Sequence, residues 1–187
     1  MNSSSSLCRR RARGFTLIEL LVTVTIAAIL LSLAVPSFVG FLARKRVEGA
    51  FTEMQTDLQL ARSEAVARNT PVRVTFGLGC YVIHTQPAGA GATSCSQTAA
   101  STIGSGATEI KTAQFASGSV LLAPQASLTF VDFDPVRGTA SWDGSGTEGR
   151  IIISSASGPW QLRASLVGTG RVSTCSPSGS IGGFTSC

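Results

Sequence analysis

The sequence predicts an α+β fold, in which one long N-terminal helix, half transmembrane and half amphipathic, packs on a β-rich head of antiparallel sheet. Three observations support this prediction. An apolar run follows a basic N-terminus, an apolar stripe at helical spacing continues to about residue 68, and apolar residues alternate with polar ones from residue 71 onward. The chain has 187 residues, 43% hydrophobic and 13% charged, which excludes a disordered, highly charged chain.

The apolar run spans residues 15–35, and Glu19 is its only charged residue. As a helix, its 21 residues would measure roughly 32 Å, enough to cross a hydrocarbon core of about 30 Å. An arginine cluster precedes the run, and the eight residues directly after it, 36–43, carry no charge. This asymmetry predicts a cytoplasmic N-terminus and an exported C-terminal part. The cluster consists of Arg9, Arg10, Arg11 and Arg13.

Three interpretations of the run compete. A secretory signal peptide would have a shorter apolar core and a cleavage site after it, for which Ala27, Ala28 and Ala34 are the small residues present. A plain membrane anchor explains the length and orientation. It does not explain Glu19, because a carboxylate inside the hydrocarbon costs on the order of 2.5–3.5 kcal/mol. In the third interpretation, the acid has a partner.

The segment Arg13-Gly14-Phe15-Thr16-Leu17-Ile18-Glu19-Leu20 resembles the type IV prepilin signature, a basic leader that ends in Gly and is followed by Phe and, four residues later, by Glu. The resemblance implies that a prepilin peptidase cuts between Gly14 and Phe15 and methylates the new amino group of Phe15. The apolar helix is then retained, and Glu19 pairs with the free N-terminal amine of a neighbouring subunit.

The helix is predicted to continue past the membrane. Pro36 lies where a proline can kink a helix without ending it, and we assign it, with Glu19, to subunit assembly. An apolar stripe at spacings of 4, 3, 4, 3 and 4 then predicts packing on a sheet rather than a free coiled coil, because it covers barely three heptads. Asn69-Thr70-Pro71 is predicted to end the helix. The stripe consists of Val47, Phe51, Met54, Leu58, Ala61 and Ala65.

From Pro71 the periodicity predicts strands. Residues 72–76 and 80–84 flank Gly77-Leu78-Gly79 and indicate a hairpin. Residues 86–108 are mostly Gly, Ala, Ser and Thr with little to bury, which predicts a long surface loop. Further strands are expected near residues 109–115, 119–123, 128–133, 139–142, 150–154 and 160–167.

Three segments resemble the FimT/GspH branch of pilin-like proteins. They are residues 58–69 followed by Pro71-Val72, the Phe133-Asp134-Pro135 turn with Gly138, and the closing Gly170-Arg171-Val172 with a terminal cysteine pair. The resemblance covers the first 76 residues well and the last 60 more loosely. It implies a β-rich head clasped to the C-terminal half of the long helix.

The cysteines predict two disulfides in an exported head. Cys8 belongs to the predicted leader, and the four that remain allow three pairings. We favour Cys80–Cys95 and Cys175–Cys187, because each closes a local polar loop. In the loop-entropy model each bridge would stabilise the head by about 3 kcal/mol. A metal site is not expected, since the chain has no Cys-x-x-Cys and only one histidine.

An enzyme is not expected, and neither is a cofactor. His84 has no paired acid or nucleophile around it in the sequence. Residues 144–149 match a dinucleotide fingerprint but lead into a strand instead of opening a helix, so a turn is favoured. Asp132, Asp134 and Asp143 lack the spacing of a calcium loop. An anchored enzyme that depends on His84 stays as a rival hypothesis.

DNA is a possible partner that the sequence does not favour. Without residues 1–14 the chain keeps 11 basic and 10 acidic side chains, since four of the 15 basic residues lie in that leader. Some FimT-type minor pilins bind DNA through a basic Gly-Arg-x-Arg tail, but here the stretch is Gly170-Arg171-Val172-Ser173 and the second arginine is missing. Arg163 and Arg171 alone would neutralise few phosphates.

The sequence as a whole predicts a minor type IV pilin of FimT/FimU type that acts in pilus assembly or priming. A pseudopilin of type II secretion and a DNA-binding minor pilin are the alternatives. The expected partners are prepilin peptidase, other minor and major pilins or pseudopilins, and inner-membrane lipid, with the head in the periplasm. The predicted divisions are a leader (1–14), a transmembrane helix (15–39), an amphipathic half-helix (40–69) and a head (70–187).

Overall fold

A computed structural model describes residues 14–96, 101–125, 128–144 and 146–187. The predicted leader, including Cys8 and the arginine cluster, therefore lies outside the described residues except for Gly14. Contacts divide the chain into two units, one ending at Val39 and the other comprising Gly40–Cys187. Each unit is described by itself.

One helix and nine strands make up the described chain. The helix, α1, spans Leu17–Arg68. The strands are β1 (Val72–Gly77), β2 (Cys80–Thr85), β3 (Glu109–Gln114), β4 (Val120–Pro124), β5 (Phe130–Phe133), β6 (Ala140–Trp142), β7 (Glu148–Ser155), β8 (Gln161–Val167) and β9 (Val172–Ser178).

The strands form two antiparallel sheets. The first has five strands in the order β3-β2-β1-β5-β6, and the second has four in the order β4-β7-β8-β9. The long N-terminal helix with a head of antiparallel sheets confirms the predicted α+β, pilin-like fold.

The core of the head lies between the second half of α1 and the two sheets. Every residue of the predicted apolar stripe is buried, which confirms the 3-and-4 spacing as a packing face. Alternate residues of β7 and β8 join the same cluster, because successive side chains of a strand point to opposite faces. These residues are Ile151 and Ile153 of β7 and Leu162, Ala164 and Leu166 of β8.

The helix ends where the sequence predicts. Asn69 has a positive φ of 48°, a left-handed conformation that asparagine tolerates better than most residues. The amide of Thr70 donates to the carbonyl of Ala65 at 3.3 Å, and the amide of Asn69 donates to the carbonyl of Val66 at 3.3 Å. This pair of bonds is a Schellman motif, and it satisfies carbonyls that the end of the helix would leave without partners.

One strand was not expected from the sequence. β9 is rich in Ser, Thr and Cys and lacks the apolar alternation of the other strands, yet it pairs with β8. Its buried member is Ser176, whose hydroxyl lies 3.0 Å from the carbonyl of Gln161. A hydrogen-bonded serine takes the place that an apolar residue has in the other strands. The sequence of β9 therefore lacks the apolar alternation that predicts a strand.

The segment 86–108 also does more than the sequence predicts. Cys80, Val82 and His84 alternate with core residues of β2 and so point away from the core, yet each is fully buried. The disulfide between Cys80 and Cys95 holds the segment on this side of the sheet. The described residues near Cys95 therefore lie over the outer face of β2, in addition to forming part of the surface.

Candidate functional site

The first candidate site is the beginning of α1. The helix starts at Leu17, so Thr16 occupies the capping position before it. The amide of Glu19 donates to the Thr16 hydroxyl oxygen at 3.3 Å, and the amide of Leu20 donates to the Thr16 carbonyl at 3.1 Å. Glu19 thus lies in the first turn, where the positive end of the helix dipole stabilises a carboxylate. Its side chain is exposed and accessible to a partner.

The Gly14–Phe15 bond, the predicted cleavage site, precedes this helix. Both residues are outside the helical hydrogen bonding and both are exposed. The Phe15 side chain is 77% exposed, and a Cβ added to Gly14 would meet no atom within 4 Å. An exposed peptide bond outside the helix is accessible to a peptidase.

Residues 15–39 carry most of the large apolar side chains that are exposed in the described part of the chain. All side chains of this segment that the structure describes are exposed, and α1 is long and apolar enough to cross a membrane. Three hydroxyls within the segment are satisfied internally: Thr23 donates to the carbonyl of Leu20, Thr25 to that of Val22 and Ser32 to that of Ile29, all at 2.7–2.8 Å. Side chains satisfied in this way need no water, which suits a lipid or packed environment.

Within the head, a buried acid joins α1 to the first sheet. Asp57 is 4% exposed and accepts a hydrogen bond from the Tyr81 hydroxyl at 2.7 Å. The Lys111 ammonium lies 2.9 and 2.8 Å from its two carboxylate oxygens and 3.3 Å from Glu53. The hydrogen bond to Asp57 raises the pKa of Lys111, and burial followed by the Asp57 contact raises the pKa of Tyr81. Both partners therefore keep their protons, and the cluster fastens the helix to β2 and β3.

Three motifs that are far apart in the sequence meet around Arg62. Gly138 ends the turn that begins at Asp134, and Gly170 precedes β9. Both glycines have a positive φ, 61° and 77°. A Cβ added to Gly138 would lie 2.9 Å from Arg62 Nε, and one added to Gly170 would lie 2.9 Å from the carbonyl oxygen of Gly138. One contact thus joins three segments: the helix around Arg62, the Phe133-Asp134-Pro135 turn and the Gly170-Arg171-Val172 segment.

The four cysteines of the head are joined in two pairs. Cys80 is bonded to Cys95, and Cys175 is bonded to Cys187. The second bond brings the C-terminal residues back onto β9, where the amide of Ser176 donates to the carbonyl of Thr185 at 2.8 Å and the amide of Cys187 donates to the carbonyl of Ser176 at 3.2 Å. The tail therefore covers the outer edge of β9 near Ser176.

His84 is a structural residue in this arrangement. It is fully buried, its Nδ1 lies 3.0 Å from the carbonyl of Thr85, and its Nε2 lies 2.9 Å from the hydroxyl of Thr75. Burial lowers the pKa of His84, which keeps the ring neutral at pH 7. Both ring nitrogens are engaged, so neither is aimed at a substrate.

The three aspartates that could have suggested calcium lie apart in separate roles. Asp132 binds Arg73 with two contacts of 2.6 and 2.7 Å, Asp134 accepts from the amides of its own turn, and Asp143 accepts from Thr129. Among the described residues, no group of three or more His, Cys, Asp or Glu side chains could hold a metal ion.

The two arginines considered for DNA are not adjacent to each other. Arg163 is half-buried on β8, where it donates to the Cys175 sulfur at 3.4 Å. Arg171 is exposed at the start of β9, and its carbonyl accepts from Val167 at 3.1 Å. Val167 is four residues from Arg163, so the backbones of the two arginines are separated by about 13 Å.

Sequence reasoning missed three features of these sites: the cap at Thr16, the Asp57 cluster and the contacts of Arg62. The first carried a signal, because Thr16 and Glu19 are the first and last residues of a T-x-x-E pattern. The other two depend on residues brought together from distant segments, so no local pattern indicates them.

Comparison with known protein families gives two matches. The family described as "Type II transport protein GspH" matches residues 50–170, and the "Prokaryotic N-terminal methylation motif" matches residues 9–35. The first covers the second half of α1 and most of the head, and the second covers the start of α1 with its cap and acid. No curated protein and no solved structure is significantly similar to the chain.

Proposed function

Because the chain belongs to the FimT/GspH family of type IV pilin-like proteins, we propose that it is a minor type IV pilin of FimT/FimU type that acts in the assembly or priming of a pilus. Members of this family are structural subunits, minor pilins or pseudopilins, which associate with other subunits of their kind. The proposal makes assembly, not catalysis, the role of this chain.

The proposed first step is processing at the membrane. Prepilin peptidase removes the leader, residues 1–14, by cutting between Gly14 and Phe15, and methylates Phe15. Residues 15–39 then form a single inner-membrane span, and residues 40–69 and 70–187 form the helix and sheets of a periplasmic head. The exposed Gly14–Phe15 bond and the methylation motif support this step.

The proposed second step is docking on a neighbouring subunit. The observation that carries it is the placement of Glu19 in the first turn of α1, whose apolar side chains are exposed as far as Val39. An isolated carboxylate in lipid is unfavourable, and a neighbour's amine would remove that cost as the two helices pack. Recognition thus combines one charge pair with apolar packing along the helix, with Pro36 in the assembly segment.

A type II secretion pseudopilin is the second candidate. The description of the matched family names type II transport, which favours it. The two candidates share processing, the anchor and the charge pair, and differ in the filament that accepts the subunit. DNA binding is a third, weaker candidate, because Arg163 and Arg171 lie apart and only Arg171 is exposed.

Mass spectrometry of the chain purified from membranes tests the processing step. The expected N-terminus is methylated Phe15, and a chain that keeps residues 1–14 would contradict the proposal. Substituting Gly14 should leave the leader in place, whereas G49A, at an exposed glycine of α1 with open space around it, is the matched control.

Incorporation of a Glu19→Ala variant tests the docking step. In cells with type IV pili, the wild-type chain is expected in the sheared pilus fraction, and E19A is expected to stay in the membrane at a normal level. E109A removes the same charge from an exposed strand residue and should be incorporated normally. Equal incorporation of E19A and wild type would refute docking through this acid. Recovery only with the secretion apparatus would favour the pseudopilin.

A further inference from the structure

The first turns of the head's own helix carry three successive cationic residues around the helix, one turn after a phenylalanine, and a tryptophan packs against the helix at Gly40; we call this set the basic face. It consists of Phe41, Arg44, Lys45, Arg46 and, from the sheet side, Trp160. Phe41 is 53% exposed, and the Lys45 ammonium lies 5.9 Å from the centre of its ring. Lys45 and Arg46 are exposed. The face thus combines three cations with an accessible aromatic ring.

Close packing holds the Trp160 ring against the start of the head's helix. A Cβ added to Gly40 would lie 3.3 Å from the Trp160 ring, and one added to Gly158 would lie 2.1 Å from it. The six-membered ring of Trp160 therefore packs against two glycines, one at the start of the head's helix and one in the turn before β8. It stays half-buried, with part of its surface at the edge of the head.

The loops around the basic face carry no acid to neutralise it. Residues 156–159 and 177–187, which include the neighbours of Trp160, contain no Asp or Glu. Glu48 is the nearby acid of the helix; it bonds Arg44 at 3.0 Å and also contacts Lys45. The hydrogen bond from Lys45 lowers the pKa of Glu48 against the opposing effect of burial. Glu53 and Asp57, further along the helix, are paired with Lys111. Three cations against the one remaining acid leave the face positive.

A lipid headgroup layer is the partner whose chemistry fits this face. Tryptophan concentrates at membrane interfaces, and basic side chains there extend towards anionic phosphates while their stems stay apolar. Gly40 directly follows Val39, the last residue of the exposed apolar segment, so the chain itself places residues 41–46 within two turns of any membrane that this segment enters.

We propose that the basic face docks the head on the headgroups of anionic phospholipids in the leaflet that the helix leaves. The contact holds the head close to the bilayer before assembly, and a subunit that is extracted must give it up. This interaction requires membrane anchoring but does not depend on which filament accepts the subunit.

Fluorescence of Trp160 tests the proposal in the full chain. The sequence has two tryptophans, so W142F leaves Trp160 as the only one. The chain is reconstituted in vesicles of phosphatidylcholine brominated near the headgroup, with or without phosphatidylglycerol. Quenching of Trp160 should be stronger when phosphatidylglycerol is present. K45Q/R46Q should lower the equilibrium constant for docking by about fivefold per cation removed. Quenching of Trp160 should fall as a result.

The matched control is R137Q/R150Q, which removes two exposed arginines from other parts of the head and should leave quenching unchanged. E48Q removes the acid and should increase quenching. Because K45Q/R46Q should decrease it, a general loosening of the head cannot explain both results. Equal quenching with and without phosphatidylglycerol would overturn the proposal. Quenching that depends on the density of the protein in the membrane would also overturn it, because it would indicate contact with a neighbouring subunit. Normal incorporation of K45Q/R46Q into filaments would leave the Glu19 proposal intact.

Discussion

Asp57 is the side chain on which the joint between helix and sheet depends most. It is nearly inaccessible to water, it pairs with the Lys111 ammonium, and it accepts a hydrogen bond from the Tyr81 hydroxyl. Glu53, one turn earlier, also contacts Lys111, but it is 46% exposed and its contact is longer, at 3.3 Å. The two acids therefore differ greatly in what their removal should cost.

We expect D57A to lower the free energy of unfolding by about 2–3 kcal/mol, because it leaves the Tyr81 hydroxyl and the Lys111 ammonium without their shared partner. E53A breaks only an exposed pair and should cost less than about 1 kcal/mol. Urea unfolding of the detergent-solubilised chain, followed by circular dichroism, measures both. An equal loss of unfolding free energy in the two variants would show that Asp57 is not the main link between the helix and the sheet.

His84 should make the stability of the head depend on pH. Its pKa is lowered from 6.5, mainly by burial, and Arg73 and Asp132 are the charged groups that act on it in opposite directions. Below pH 6.5 the unfolded chain binds a proton at this ring that the folded chain does not bind. The free energy of unfolding should therefore fall as the pH falls, by up to about 1.4 kcal/mol per pH unit.

Unfolding curves between about pH 7.5 and about pH 5.5 measure this slope above the range in which carboxylates titrate. H84N removes the titrating group and should flatten the slope, whatever its effect on stability at neutral pH. A slope that persists unchanged in H84N would assign the pH dependence to another residue.

At the scale of elements, the turn before β6 and the turn before β9 are tied to α1 through Arg62. Gly138 and Gly170 both adopt a left-handed conformation, and the two backbones approach so closely that a methyl group on Gly170 would meet the carbonyl oxygen of Gly138. A carbonyl oxygen is part of the backbone and cannot rotate away as a side chain can, so glycine is required at this position for two separate reasons.

Comparison of G170A with G118A separates these reasons. Both glycines have a φ of 77°, but nothing lies within 4 Å of a Cβ on Gly118. G118A should cost about 1 kcal/mol, the price of a left-handed alanine, and G170A should cost at least about 1 kcal/mol more because of the contact with Gly138. Thermal unfolding measures both, and equal costs would mean that the contact relaxes freely.

The elements also show where sequence reasoning succeeds and where it stops. The stripe of α1 and the strands β1 and β2 were predictable, because their apolar residues repeat with the period of the structure that they form. β9 was not, because its buried residue is a serine held by hydrogen bonds to β8 and to its own turn. Hydrogen bonds to distant backbone leave no periodic trace in a sequence.

At the scale of the whole molecule, the two units differ in how their apolar residues are covered. Residues 15–39 expose theirs, and Gly40–Cys187 buries most of its own between helix and sheets. A surface such as the first cannot be stable in water, so it needs lipid or other helices. Membrane anchoring and subunit packing are two solutions to the same physical problem, and the proposed function uses them in turn.

The sequence by itself determined the anchor, the acid within it, the end of the helix and the face that packs on the head, because each is a local pattern of hydrophobicity, charge or turn chemistry. Only the tertiary structure decided that Asp57 is buried against Tyr81 and Lys111, that Arg62 joins two distant turns, and that Trp160 packs against the helix at Gly40. Such contacts arise when the sheets close on the helix, and their energies depend on burial and distance between residues that are far apart along the chain.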